Sequence, residues 1–293
     1  LLLMEACAAE LEKIGYDINA SQSRLLDKLA ELMMPEAAIG PKPSTCVIQA
    51  TPIDSHSVVN TMTRFYCTQK ITKPSQRNSY NTDIFFTPIG SFPLLKASLS
   101  YVMIGQKIFE VKDNIKTLLH GNDSSNATQD IWLAITPDKT TKTLKGLNIF
   151  FDMRNHSEGN NVYKSLEGAI CFANEQPVAI EQGYFNAAQF ELSPDNMLIS
   201  GSDYSGKVNR QTAGVYQKHF LHIAADVKTE EVLSNSVPED WRNSLPEKIV
   251  QKLASTAMIY LNIKLPRPFY QDTLEGVQCC INAFPAINRK LNS

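Results

Sequence analysis

Between Met4 and Ile18 the apolar residues fall at Met4, Cys7, Leu11, Ile14 and Ile18, a 3,4,3,4 spacing. That spacing draws one narrow stripe along a helix and has the period of a coiled-coil seam. Asn19 and the hydroxyls of Ser21 and Ser23 interrupt it and offer a fresh N-cap. Leu25, Leu26, Leu29, Leu32 and Met33 then start a second amphipathic helix, which Pro35 ends. The pattern predicts a helical arm over residues 1–40. So short a pair cannot bury its own stripe and needs a further apolar surface, from its own chain or from another. The candidate interface residues of the arm are Met4, Leu11, Ile14, Ile18, Leu25, Leu29 and Leu32.

After Gly40-Pro41-Lys42-Pro43 the texture changes to short runs of β-branched and aromatic residues: Thr45 to Thr51, Phe65 to Ile71, Asp83 to Thr87, Leu99 to Ile104 and Lys107 to Lys112. These predict strands, separated by turn signals at Pro52 to Ser55, Lys73-Pro74-Ser75-Gln76 and Gly90. The polar stretch from His120 to Asn126 reads as a loop and predicts a domain boundary near residue 125. Beyond it, Ile131 to Ile135, Leu147 to Asp152, Ala169 to Ala173, Val178 to Ile180, Phe220 to Ala224 and Met258 to Lys264 predict further strands. Short helices are expected at Val162 to Leu166 and from Pro246 to Ala254. The expected class is α+β with strand dominant: a helical arm (1–40), a first β-rich domain (41–125) and a second β-rich domain (126–293), each sandwich-like or an irregular barrel.

Composition narrows the partners. The chain has 293 residues, 43% of them apolar, and a formal charge of −2, enough for a real core. No run of Lys or Arg gives an electrostatic footprint for nucleic acid or an anionic membrane. No stretch reaches the roughly 18 apolar residues of a membrane span, and Leu1-Leu2-Leu3-Met4 lacks the basic region and length of a signal peptide. Six cysteines without a C-x-x-C pair predict buried free thiols and a cytoplasmic location. The sequons at Asn122, Asn126 and Asn155 then read as polar turns. Because the sequence opens on Leu inside a helical pattern, it is expected to be part of something longer.

Candidate chemistry is sparse. His219-Phe220-Leu221-His222 has i, i+3 spacing, but in strand-like context those positions point to opposite faces, and Asp226 is the one nearby carboxylate. The run Gly201-Ser202-Asp203-Tyr204-Ser205-Gly206-Lys207 has the outline of a phosphate loop. Val208 stands where a Ser or Thr should hold magnesium, and no apolar helix is predicted after it, so the run reads as a surface loop. No nucleophile elbow occurs. The chain is expected not to be an enzyme and to hold no cofactor or metal.

Four blocks carry a resemblance. Ala257 to Lys264 (AMIYLNIK) with Leu265-Pro266, followed by Ile281-Asn282-Ala283-Phe284-Pro285-Ala286-Ile287-Asn288-Arg289, resembles the C-terminal half of the TssF family. These are baseplate wedge subunits of type VI secretion systems, in which an apolar strand ending "ikl-P" precedes an "iN-a-x-P-v-v-N" segment. Leu25 to Pro52 is similar to that family's entry segment, Phe85-Phe86-Thr87-Pro88 with Phe92-Pro93-Leu94 to a strand pair, and Leu147 to Leu166 to an "l-x-f-y-l-x-g" block. Asn60-Thr61-Met62-Thr63 stands where the family has "P-x-G-T". The resemblance implies a non-catalytic structural subunit. It would pair with a second TssF copy and one TssG, carry TssK peripherally, and have TssE and the spike hub as further neighbours, without nucleic acid or membrane insertion. The alternatives are a baseplate protein of a related phage-tail-like injection system, a metal-dependent hydrolase on a β-sandwich using His219, His222 and Asp226, and a secreted β-sandwich adhesin.

Overall fold

The computed structural model describes residues 10, 12, 14, 43–72, 79–121, 126–153, 157–190 and 204–288. The chain divides into two compact units, Leu1–Ser44 with Leu192–Val208, and Thr45–Glu191 with Asn209–Ser293. In the smaller unit, Glu10, Glu12 and Ile14 are helical and exposed.

Among the described residues, the larger unit holds every strand. In chain order these are β1 (Thr45–Gln49), β2 (His56–Val59), β3 (Phe65–Thr72), β4 (Ser79–Pro88), β5 (Phe92–Leu95), β6 (Ala97–Ile104), β7 (Lys107–Lys112), β8 (Ile115–His120), β9 (Ala127–Pro137), β10 (Asn148–Asp152), β11 (Ile170–Ala173), β12 (Gln176–Val178), β13 (Ile180–Gln182), β14 (Phe220–Ile223), β15 (Ile259–Tyr270), β16 (Gln278–Ile281) and β17 (Ala283–Asn288). The helices are α1 (Gly159–Leu166), α2 (Tyr204–Gln217), α3 (Thr229–Val232), α4 (Glu239–Ser244), α5 (Glu247–Ala254) and α6 (Gln271–Glu275). The strand-dominant α+β class is as the sequence pattern predicts.

A seven-stranded antiparallel sheet, ordered β12-β11-β15-β9-β6-β7-β8, is the backbone of the unit. Its period-2 alternation feeds two cores. Val102 and Ile104, Leu133 and Ile135, and Leu261 and Ile263 point to one face. Their intervening neighbours Met103, Ala134 and Tyr260 point to the other. The first face packs against Ile149, Phe151, Leu221, Ile223 and Ile281 of a four-stranded sheet ordered β13-β14-β10-β16, a sandwich-like arrangement. The second is covered by Trp241 and Leu245 of the α4 region and Leu253 of α5. Each such fully buried side chain contributes about 1.5–3 kcal/mol.

This sheet spans the expected boundary near residue 125. β9, from beyond the boundary, pairs with β6, from before it, between Ala97↔Pro137 and Ile104↔Ile131. The polar loop is therefore a connection within one sheet. Backbone pairing, invisible in loop composition, decides the division.

A second four-stranded sheet is ordered β1-β17-β4-β3, and β2 pairs with β5. The chain passes from one small sheet to the other at Asn282, between Ile281 of β16 (opposite Ile149) and Ala283 of β17 (opposite Gln49). Asn282 has φ 58, a left-handed conformation that Asn tolerates better than most residues. Its Oδ1 accepts from Leu95 N at 3.0 Å, and its Nδ2 donates to Leu95 O at 2.7 Å and Ala97 O at 3.4 Å.

Three further differences from the sequence pattern have local causes. The expected single strand Val178 to Ile180 is two, β12 and β13, in different sheets, with the crossing residue Ala179 accepting from Ala224 N. β8 went unpredicted because the signal lies in its turn. Asp113 and Asn114 both take positive φ (49 and 63), the two-residue turn that fits a twisted hairpin. Finally, a helix, α2, begins at Tyr204, inside the run expected to be a loop. Gly206 and Gly214 dilute its apolar periodicity.

The cysteines also differ from expectation in part. Cys171 and Cys279 are buried free thiols, but Cys67 is exposed. Burial pushes Cys171, Cys279 and Cys280 from 9.0 up to about 12, and the Tyr260 hydroxyl from 10.0 up to about 12. These groups hold their protons in the folded chain while the unfolded chain releases them. Their stability contribution is complete below pH 9 and is lost as pH rises toward about 12, by up to about 1.4 kcal/mol per pH unit for each group. Burial lowers Lys116 below 10.5, which adds stability as pH rises toward 10.5; one such group does not offset four. Thermal melts are expected to fall steeply above pH 9, and less steeply in the double variant Cys171→Ala, Cys279→Ala.

Candidate assembly surfaces

Of the arm residues, Met4, Leu11, Ile18, Leu25, Leu29 and Leu32 lie outside the described residues. Ile14 is helical and 51% exposed, so the described part of the stripe faces solvent.

Described residues of the family-like blocks, among them Phe92, Leu94, Leu147, Ile149, Ile281 and Phe284, are buried, and residues 25–42 of the entry segment lie outside the described residues. Phe92 of β5 stacks on Phe284 of β17 at 5.8 Å and on Phe190 at 6.2 Å, and meets Tyr184 edge-on at 5.6 Å. Phe284 meets Phe65 at 5.5 Å, Tyr184 meets Phe220 at 4.9 Å, and Phe220 meets Phe150 of β10 at 4.9 Å. This aromatic chain ties the two small sheets together, with Tyr184 donating to Ala213 O at 3.0 Å. Pro285 sits in β17 opposite Val47, before β17 meets β4 at Ala286. A missing N–H is tolerated there.

The rims are different. β3 and β4 pair from Phe65↔Phe86 to Thr72↔Ser79, whereas among the described residues β17 meets β4 only from Phe86 to Pro88. The remainder is a two-stranded ribbon, which is marginal in water without a further surface to lie on. Exposed apolar residues cluster at these margins: Ile53, Val58, Met62 and Tyr66 around β2 and β3, and Ile115 and Leu118 on the end strand β8. The seven-stranded sheet's ends carry guards against indiscriminate pairing. β12 contains Pro177, and β8 sends Lys116 inward, where its ammonium donates to Glu275 O and Val277 O.

The alternative metal site does not assemble. His219 lies on Tyr163 with ring centroids 3.8 Å apart, whereas His222 Nδ1 is 3.1 Å from Gly183 O and its Nε2 is 3.6 Å from Glu181. Asp226 accepts from Thr143 Oγ1 at 2.6 Å. Among the described residues no group of three His, Cys, Asp or Glu side chains could hold a metal ion. No helix among them is long and apolar enough to cross a membrane.

No protein-family model matches the chain, and no curated protein matches it. Among solved structures, it is similar over its whole length to a chain in the cryo-electron microscopy structure of the type VI secretion system TssK-TssF-TssG baseplate subcomplex, at 14% identity and a TM-score of 0.46. The match covers 52% of that chain, so this sequence spans about half its neighbour's length.

Proposed function

We propose that the chain is a structural, non-catalytic and cofactor-free subunit of a type VI secretion baseplate wedge, of TssF type. In this reading it works in the cytoplasm and assembles with TssG and a second copy of itself. TssK lies outside them, and TssE and the spike hub are further neighbours. The observation that carries the reading is the position of the family-like segment Ile281 to Asn288. Those residues form the joint between two sheets, with Asn282 bonded to Leu95 and Ala97 and Phe284 inside the aromatic chain. Likeness in such a segment is likeness of architecture, because its residue types are dictated by backbone conformation and packing. Exposed apolar residues at the sheet margins add docking area of the kind that assemblies hold by shape rather than chemistry.

The arm residues Met4, Leu11, Ile14, Ile18, Leu25, Leu29 and Leu32 form the proposed TssG contact. Co-expression with TssG and affinity capture tests it. Removing residues 1–34, or introducing Leu11→Asp with Ile14→Asp, is expected to lower TssG recovery about tenfold or more, since an unpaired charge is costly in an apolar interface. Circular dichroism of the β unit should stay unchanged. Undiminished capture removes the arm from the account, and failure of the full chain to capture TssG removes the baseplate reading.

A further inference from the structure

On the sheet face that carries the α4 helix, an open groove of about 840 Å³ is left between the sheet and the residues from Ser234 to Asn243. Its floor is one row across three paired strands. Phe172 of β11 lies opposite Asn262 of β15, and Asn262 opposite Trp132 of β9. All three side chains line the groove and are half-buried. With strands about 4.8 Å apart, the two aromatic residues flank the amide roughly 10 Å from one another.

The acids around this floor come from separate elements. Glu175 stands on the β11–β12 turn, and Glu239 and Asp240 in the first turn of α4. All three are exposed, and among the described residues none has an ion pair or side-chain hydrogen bond within the protein. The one basic lining residue, Arg242, is committed to its own turn. Its Nε donates to Val237 O at 2.7 Å and its Nη2 to Ser236 Oγ. The groove is thus lined by two aromatic rings, an amide and three unpaired carboxylates, with its own cation already engaged.

We propose that this groove receives an arginine side chain carried on an extended segment of a partner chain. A planar guanidinium stacks on an indole or phenyl face and pairs bidentately with carboxylates, two demands that one lysine ammonium does not meet together. The volume exceeds what one side chain fills, so the backbone on either side of the arginine has room to lie along Asn262. This site stands on the groove's own chemistry and holds whether or not the partner belongs to a baseplate.

The test uses the full chain and a capped Gly-Gly-Arg-Gly-Gly peptide, with intrinsic fluorescence as the readout. Of the chain's two tryptophans, Trp241 is fully buried and Trp132 lines the groove, so a change in emission reports the site. Saturable binding in the millimolar range is expected, weakening about tenfold when citrulline replaces arginine. The double variant Glu175→Gln, Asp240→Asn should weaken it by about tenfold and flatten its salt dependence. Both positions are exposed, so its melting temperature should match the parent's. Absence of saturation up to about 10 mM, equal binding of the citrulline peptide, or unchanged affinity in the double variant each overturns the proposal.

Discussion

Replacing Asn282 by alanine is expected to destabilise the larger unit by roughly 4 kcal/mol or more, the sum of two effects. The amide's bonds to Leu95 N, Leu95 O and Ala97 O disappear, leaving backbone groups of two buried residues without these partners at about 1–3 kcal/mol for each orphan. Alanine must also adopt the φ of 58, which costs a residue with a Cβ about 1 kcal/mol. Asn282→Gly separates the effects by removing the strain alone, and should recover about that 1 kcal/mol. Asn282→Asp keeps an acceptor for Leu95 N but sets a carboxylate against two carbonyl oxygens, so it should be at least as damaging as alanine. Urea unfolding of the four proteins measures this. A loss below about 1 kcal/mol in the alanine variant would show that the joint is held by packing and not by the amide.

Phe92→Ala is expected to cost about 3–5 kcal/mol, as other large-to-small core changes do. Phe92 is fully buried and touches Phe284, Phe190 and Tyr184. Truncation therefore opens a cavity where the β1-β17-β4-β3 sheet, the β2–β5 pair and the segment from Tyr184 to Phe190 converge. Phe92→Leu refills much of the volume without the ring geometry and should cost about half as much. Near-ultraviolet circular dichroism gives an independent readout, since the stacked rings lose their fixed environment. An alanine variant that melts within a degree or two of the parent would contradict the aromatic chain's role.

Strand-forming runs were legible where β-branched and aromatic residues are dense, whether the strand is buried or, like β3, largely exposed. Lys107 to Lys112 appears at its predicted bounds, and Phe65 to Ile71, Leu99 to Ile104 and Ala169 to Ala173 within two residues. Such runs carry their own signal, because burial on either face selects β-branched and aromatic residues. His56–Val59 and Ile115–His120 were not legible, since exposed strands need no apolar alternation and their pairing is fixed by turns and distant partners. Long-range register was invisible for the same reason. Nothing around His120 to Asn126 signals that β9 will lie against β6. The groove was hidden more deeply, because Trp132, Phe172 and Asn262 are far apart in sequence and meet only through strand pairing. Local motif reading could offer His219, His222 and Asp226 only as an alternative, and among the described residues no group of three such side chains could hold a metal ion.

The pairing of β1 with β17, from Thr45↔Ile287 to Gln49↔Ala283, has a consequence for biosynthesis. β1 leaves the ribosome well before β17 and waits for it, which at about 5–20 residues per second means some tens of seconds with its hydrogen-bonding edge bare. Throughout that interval the nascent polypeptide exposes Phe65, Phe92 and the strands around them without their closing partner. Slow codons late in the message, or a shortage of holding chaperones, would therefore be felt as aggregation of half-made chains rather than as misfolded finished protein.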